Sequence, residues 1–179
     1  MNNTLKINSI KKLLAIKFIE LGVQQVREVD TDISTKNDNS NLLVSSLAKL
    51  DGTLSPILLD NTYYYTSQDN WNIIIPLLID ITNVFPWEAE RFDCDKRASL
   101  IAALIPALFR INTCCTAYCK VSEANTNDFK YLHYIISWVD DGGNVWVCDQ
   151  DQGGITQKIT TNDFVMGIGK YHLNSIRTI

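Results

Sequence analysis

The segment FDCDKRA, residues 92–98, places a cysteine between two aspartates, directly before the apolar run LIAALIPALF. This run predicts a helix that begins at Cys94. The unpaired backbone N–H groups and the positive dipole end of a first helical turn stabilise an anion such as a thiolate. Asp93 is the predicted N-cap, and Asp95 suits the same turn. Cys94 is therefore a candidate nucleophile.

A nucleophilic thiol needs a basic partner, and the two flanking carboxylates increase that need by repelling a thiolate. The chain contains two histidines, and His133 lies near the start of a predicted strand that can face the start of the helix. Asp149 ends the next strand and can accept the Nδ1–H of the imidazole. Gln150 and Asp151 are alternatives for this orienting role. The predicted catalytic residues are thus Cys94, His133 and Asp149.

The FDCDKRA segment resembles the Phe-Asp-Cys-Asp-Asp-Phe-Ala type motif of a papain-like cysteine protease family. That family includes the C-terminal domain of the fungal agglutinin chimerolectins and small phage and bacterial proteins. The resemblance covers about residues 60–152 and includes the upstream segment DNTYYYTSQDNW. It implies that Cys94 is the nucleophile, that His133 is the base, and that Asp149 orients the imidazole.

Several positions depart from the pattern of that family. Lys96 and Arg97 replace an acidic and an aromatic residue, His133 is followed by Tyr-Ile-Ile rather than Ala-Trp-Asn, and VCDQDQ replaces a proline-containing motif. The family's glutamine, which donates to the oxyanion, is missing from the residues just before Cys94. The Cys94 backbone N–H is one candidate donor, and Gln68 is a weak candidate from upstream.

The wider chain predicts helices followed by strands. Helical spacing marks residues 9–22 and a buried helix after Ser67. Alternating residues predict three antiparallel strands, joined by turn-rich segments, at 111–121, 130–139 and 144–150. This order predicts an α+β fold in which helices are followed by an antiparallel β-sheet, and the resemblance makes that fold papain-like.

The polar stretch TDISTKNDNSN, residues 31–41, has too little apolar surface to order itself and reads as a linker. We therefore expect two parts: an N-terminal helical arm with its linker, residues 1–41, and a papain-like α+β domain, residues 42–179. The apolar stripe of residues 9–22 must be buried somewhere, which predicts docking on its own domain or homo-oligomerisation.

A net charge of −4 and a pI near 5.1 argue against nucleic-acid binding. The longest apolar runs are too short for a membrane span, and the first residues do not resemble a signal peptide. These features predict a cytoplasmic protein. If a phage encodes the chain, that means the host cytoplasm, with association with a virion as an alternative.

Five cysteines in a chain without an export signal favour reduced thiols. Cys114, Cys115 and Cys119, with Cys148 and His133, have the residue types of a zinc site. Adjacent strand residues point to opposite faces, however, and no C-x-x-C pair is present. We expect these cysteines to pack in the core, and we predict no metal and no cofactor.

The predicted function is a cysteine-dependent acyl-transfer enzyme, most simply a peptidase, which is a hydrolase of the thiol protease class acting on a protein or peptide substrate. Cys94 would attack a carbonyl after His133 accepts its proton. Two alternatives are a non-catalytic structural or interaction protein of a phage or bacterium on the papain-like scaffold, and a transglutaminase-like enzyme.

Overall fold

A computed structural model of the chain describes residues 36–39, 41–50, 62–83, 85, 88, 89, 92–126, 128–167 and 169–178. The predicted helix at residues 9–22, with its proposed docking or oligomerisation, lies outside the described residues. No helix in the described ranges combines the length and apolar content needed to cross a membrane.

Three helices and eight strands make up the described part of the chain. In chain order they are β1 (Lys36–Asn39), α1 (Asn41–Ala48), β2 (Thr62–Tyr65), α2 (Gln68–Asn83), α3 (Cys94–Phe109), β3 (Cys114–Glu123), β4 (Phe129–Val139), β5 (Val145–Asp149), β6 (Ile155–Ile159), β7 (Asp163–Met166) and β8 (Gly169–Thr178). The helix predicted to begin at Cys94 is confirmed as α3, and the three predicted strands are confirmed as β3, β4 and β5.

The strands form two antiparallel sheets. β1 and β2 pair with each other, and the other strands form a six-stranded sheet in the order β6-β5-β4-β3-β8-β7. The two edge strands of the large sheet, β6 and β7, also contact each other. Within β4, only Ile136–Val139 pair with β5, so the first half of β4 extends beyond β5.

The predicted fold class, a papain-like α+β fold with helices followed by a sheet, is wrong in its order and extent. Strands β1 and β2 precede α2 and α3, and β6, β7 and β8 continue the antiparallel sheet to residue 178. Residues 36–39, which the sequence assigned to the linker, pair with the β-favouring TYYY segment. A polar composition does not prevent such pairing, because backbone groups make the ladder.

The large sheet is buried on both faces over its central strands. On one face, α2 and α3 form a core with the sheet, in which the rings of Trp71 and Trp138 lie 5.4 Å apart. On the other face, Leu43 and Leu47 of α1 and the rings of Tyr63 and Tyr65 in β2 cover the strands. The second half of β4 is therefore buried at every residue from Ile135 to Val139.

Asn112 joins the small sheet to the connection between α3 and β3. Its Oδ1 accepts the backbone N–H of Tyr64 at 2.7 Å, and its Nδ2 donates to the backbone oxygen of Thr62 at 3.0 Å. One side chain therefore satisfies a donor and an acceptor on β2.

We expect the Asn112→Ala substitution to lower the free energy of unfolding by about 1–3 kcal/mol, because it leaves backbone groups of β2 without these partners. Urea unfolding followed by circular dichroism measures this loss. Asn125→Ala, in an exposed turn, is the control and should change stability by less than about 0.5 kcal/mol. Equal stability of the two variants would contradict the role of Asn112.

Candidate functional site: the cysteine at the start of α3

The first turn of α3 balances its own charges. Asp93 takes the N-cap position with φ −105° and ψ −165° but makes no side-chain capping bond. Instead, Lys96 Nζ lies 3.0 Å from Asp93 Oδ1 and 3.0 Å from Asp95 Oδ1. Hydrogen bonding with the side chains of Asp95 and Lys96 lowers the pKa of Asp93 to about 2. The carboxylates beside half-buried Cys94 are thus offset by a local cation.

His133 lies in the part of β4 that β5 leaves unpaired, and it interacts with both other predicted catalytic residues. Its Nε2 lies 3.0 Å from Asp149 Oδ1, and the side chain of Cys94 is close enough to raise the pKa of the imidazole. Because Nε2 faces the carboxylate, Nδ1 is the nitrogen left for the thiol. The sequence-based assignment of Nδ1 to the carboxylate is wrong, while the three residues are brought together.

Asp149 is fully buried and accepts three hydrogen bonds. Its Oδ1 accepts hydrogen bonds from the imidazole of His133 and from the backbone N–H of Asp151, the latter at 2.9 Å. Its Oδ2 accepts one from the hydroxyl of Tyr171 at 2.6 Å. Burial alone would raise the pKa of Asp149, but its bonds to His133 and Tyr171 outweigh burial and hold that pKa below its ordinary value. The carboxylate is therefore ionised at neutral pH.

The imidazole of His133 is held in its charged form by these neighbours. Burial lowers its pKa, but the interactions of His133 with Asp149 and Cys94 outweigh burial and raise the pKa of His133 to about 9. At neutral pH an imidazolium therefore lies between a carboxylate and the sulfur of Cys94.

Gln150 and Asp151, the alternatives to Asp149, have other roles. Gln150 Nε2 donates to the backbone oxygens of Cys94 at 3.2 Å and of Tyr134 at 2.8 Å, which fastens the start of α3 to β4. Asp151 forms an ion pair with the buried guanidinium of Arg97. The orienting contact to the imidazole belongs to Asp149.

Arg97 also donates to Asn83 at the end of α2. One guanidinium thus connects the first turn of α3 to the end of α2 and to the loop after β5. Lys96 and Arg97, which depart from the resembled motif, therefore hold the local structure together by charge pairing.

Two aromatic residues at the site were not predicted from the sequence. Tyr171 in β8 donates to Asp149, and Tyr131 in β4 places its ring edge-on to the ring of His133, with centroids 5.7 Å apart. The alternation in GKYHLNSIRT could have indicated the strand that carries Tyr171. Its pairing with β3, which brings the hydroxyl to Asp149, has no signal in the local sequence.

Gln68, the weak oxyanion candidate, lies away from this cluster. It begins α2, where its Nε2 donates to Asn72 and its Oε1 accepts from the indole of Trp138. Asn83 at the other end of α2 is the residue that contacts Arg97. The two ends of α2 are separated by about 22 Å at 1.5 Å per residue. The structure does not bring Gln68 to Cys94.

The remaining cysteines are buried in the core, as predicted. Burial raises the pKa of Cys115 to about 12 and that of Cys148 to about 12, and it also raises the pKa values of Cys114 and Cys119. A zinc ligand must be a thiolate, which burial of this kind disfavours.

In the part of the chain that the structure describes, one group has a spacing that could hold a cation. The ligand atoms of His133, Asp149 and Asp151 lie within 4.8 Å of one another. The positive charges of His133 and Arg97 already pair with the two carboxylates.

Comparisons with known proteins identify a distant structural similarity. No family model matches the chain, and no curated protein matches it. A solved structure of a lectin from Polyporus squamosus, bound to the human-type influenza-binding epitope Neu5Aca2-6Galb1-4GlcNAc, is similar with a TM-score of 0.46 and 18% identity. The match covers 68% of this chain and 45% of the lectin chain, so this chain spans less than half of the lectin's length.

These comparisons bear on the resemblance noted in the sequence. A lectin is thus among the structures that are similar to this chain, which is consistent with the resemblance to the fungal agglutinins. The prediction of a papain-like cysteine peptidase, a hydrolase with a protein or peptide substrate, is corrected. No protease family model matches the chain, and the similar structure is named as a lectin bound to a glycan. At this identity and TM-score, the ligand of the lectin is not transferred to this chain.

The raised pKa of His133 predicts a specific dependence of stability on pH. A histidine whose pKa is about 6.5 when unfolded and about 9 when folded stabilises the fold fully below pH 6.5. This stabilisation is lost as the pH rises through about 9 and amounts to about 3 kcal/mol.

We therefore expect the stability difference between the wild type and His133→Gln to shrink by about 3 kcal/mol between pH 6 and pH 9.5. Urea unfolding at several pH values measures it. His172→Gln is the control, because His172 pairs with Asp163 on the exposed surface. A difference that stays constant with pH would contradict a charged His133.

Proposed function

We propose that the chain carries a nucleophilic thiol site in which Cys94 is the nucleophile, His133 its acid–base partner and Asp149 the group that orients the imidazole. The observation that carries this proposal is that His133 lies 3.0 Å from the buried carboxylate of Asp149 and near enough to Cys94 for that side chain to raise the pKa of the imidazole. The substrate class that fits such a site is a molecule with an electrophilic centre.

The electrostatics support the roles of the two ring nitrogens. The ionised Asp149 accepts the Nε2–H of His133 and so fixes both the orientation of the ring and its charge. Nδ1 then carries a proton toward the sulfur, so a thiolate at Cys94 would form an ion pair with the imidazolium.

The backbone supports the position of the sulfur. In the first turn of α3, the N–H of Lys96 is taken by Asp95 Oδ1 and that of Arg97 by the Asp93 carbonyl. The N–H groups of Cys94 and Asp95 lie in the first turn, so the carbonyls four residues earlier are not part of the helix. These N–H groups therefore have no partner within the helix. They can stabilise a thiolate at Cys94.

Two further points belong to this proposal. The resemblance of the FDCDKRA segment to the C-terminal domain of the fungal agglutinins supports Cys94 as the reactive residue.

All of the cysteines are free thiols, which supports the reducing, cytoplasmic location inferred from the sequence.

We expect iodoacetamide to alkylate Cys94 at pH 7 at least about tenfold faster in the wild type than in His133→Ala, because the imidazolium that pairs with the thiolate is lost. In this reaction the sulfur–carbon bond forms and iodide leaves. Mass spectrometry of the digested protein over time gives the rate for each cysteine separately.

His172→Ala is the matched control, since His172 also contacts an aspartate, Asp163, but lies on the exposed surface. Its alkylation rate at Cys94 should equal that of the wild type. Buried Cys115 is an internal control for folding and should remain unlabelled in every variant. Equal rates in the wild type and folded His133→Ala would refute the proposal.

A further inference from the structure

The sheet face that α2 and α3 cover is open at the far end of β3. Cys114 at the start of β3 packs in the core beneath these helices. Lys120 and Ser122 lie on the same face by strand alternation, and Lys120 is exposed. The helices therefore cover one end of this sheet face, and the other end is accessible.

Polar side chains from three neighbouring strands line a pocket of about 350 Å³ at this end. The pairing register brings them together, because Lys120 lies opposite His172, and Ser122 lies opposite Lys170. Asp163 of β7 lies opposite His172 on its other side. The pocket is thus built on paired strands, which hold its side chains at fixed spacing.

The chemistry of this pocket is that of an anion site. Two ammonium groups and a hydroxyl supply donors, and the lining contains one carboxylate. That carboxylate belongs to Asp163, and its Oδ1 lies 2.9 Å from His172 Nδ1. The other ring nitrogen of His172, Nε2, does not make this contact. The cationic groups are concentrated here although the whole chain carries a net charge of −4.

We propose that this pocket binds the phosphate group of a phosphomonoester. Two ammonium groups match the two negative charges of such a phosphate, and donors on several sides match its tetrahedral oxygens. The ladder also places exposed Leu132 opposite Lys120 and exposed Val165 opposite Lys170. These two side chains give the remainder of a small organic phosphate an apolar surface beside the pocket.

The test is a titration of the ¹⁵N-labelled chain with inorganic phosphate and with glycerol 3-phosphate, at constant ionic strength set with sodium chloride. We expect saturable amide shifts in β3, β7 and β8. In the double variant Lys120→Gln/Lys170→Gln the affinity should fall about tenfold or more, because two charge-assisted contacts are lost. Lys158→Gln, an exposed lysine on β6, is the control and should keep the affinity of the wild type.

Two further arms identify the source and the selectivity of the anion. Sedimentation with phosphatidylcholine vesicles that contain phosphatidic acid distinguishes a lipid headgroup from a soluble phosphate. Binding to the vesicles or to the soluble phosphates supports the site if the double variant loses that binding. Shifts that do not saturate, that are equal with acetate, or that persist in a folded double variant would overturn the proposal.

Discussion

The buried carboxylate of Asp149 is the constraint on which the rest of the site depends. An ionised carboxylate without contact to water is costly unless hydrogen bonds and an opposite charge compensate it. Asp149 receives its compensation from His133 on β4, Tyr171 on β8 and the backbone of Asp151. Its presence therefore fixes the relative positions of three strands of one sheet. It also fixes the charge and the orientation of the imidazole that faces Cys94.

The coverage of the large sheet decides where a site can form. Over the central strands both faces are buried, by α2 and α3 on one side and by α1 and β2 on the other. Because β5 pairs only with the second half of β4, the first half carries His133 at a place that the start of α3 can reach. The same incomplete coverage leaves the open sheet surface around Lys120. The site at Cys94 and the polar pocket thus both form where strands extend beyond the elements that cover the sheet.

The charged residues around Cys94 show how a departure from a motif can be compensated by structure. Lys96 forms ion pairs with both aspartates that flank the cysteine, and Arg97 pairs with Asp151. An acidic and an aromatic residue at these two positions could make neither contact. The assignment to a peptidase rested on the motif and on the types of the three residues, and it is corrected by the comparisons, whereas the geometry of these residues rests on their own interactions.

The sequence by itself determined the local features of this protein. The apolar run after Cys94 predicted α3, and the alternating segments predicted β3, β4 and β5, because helical and strand periodicity are written in neighbouring residues. Cys94, His133 and Asp149 were predicted as a group because few residue types can form a nucleophile, a base and an orienting group. Tertiary structure decided the remainder. The pairing of residues 36–39 with β2, the selection of Asp149 over Gln150 and Asp151, and the contact from Tyr171 all depend on register between distant strands. Register follows from the packing of whole faces against each other, and no local stretch of sequence contains that information.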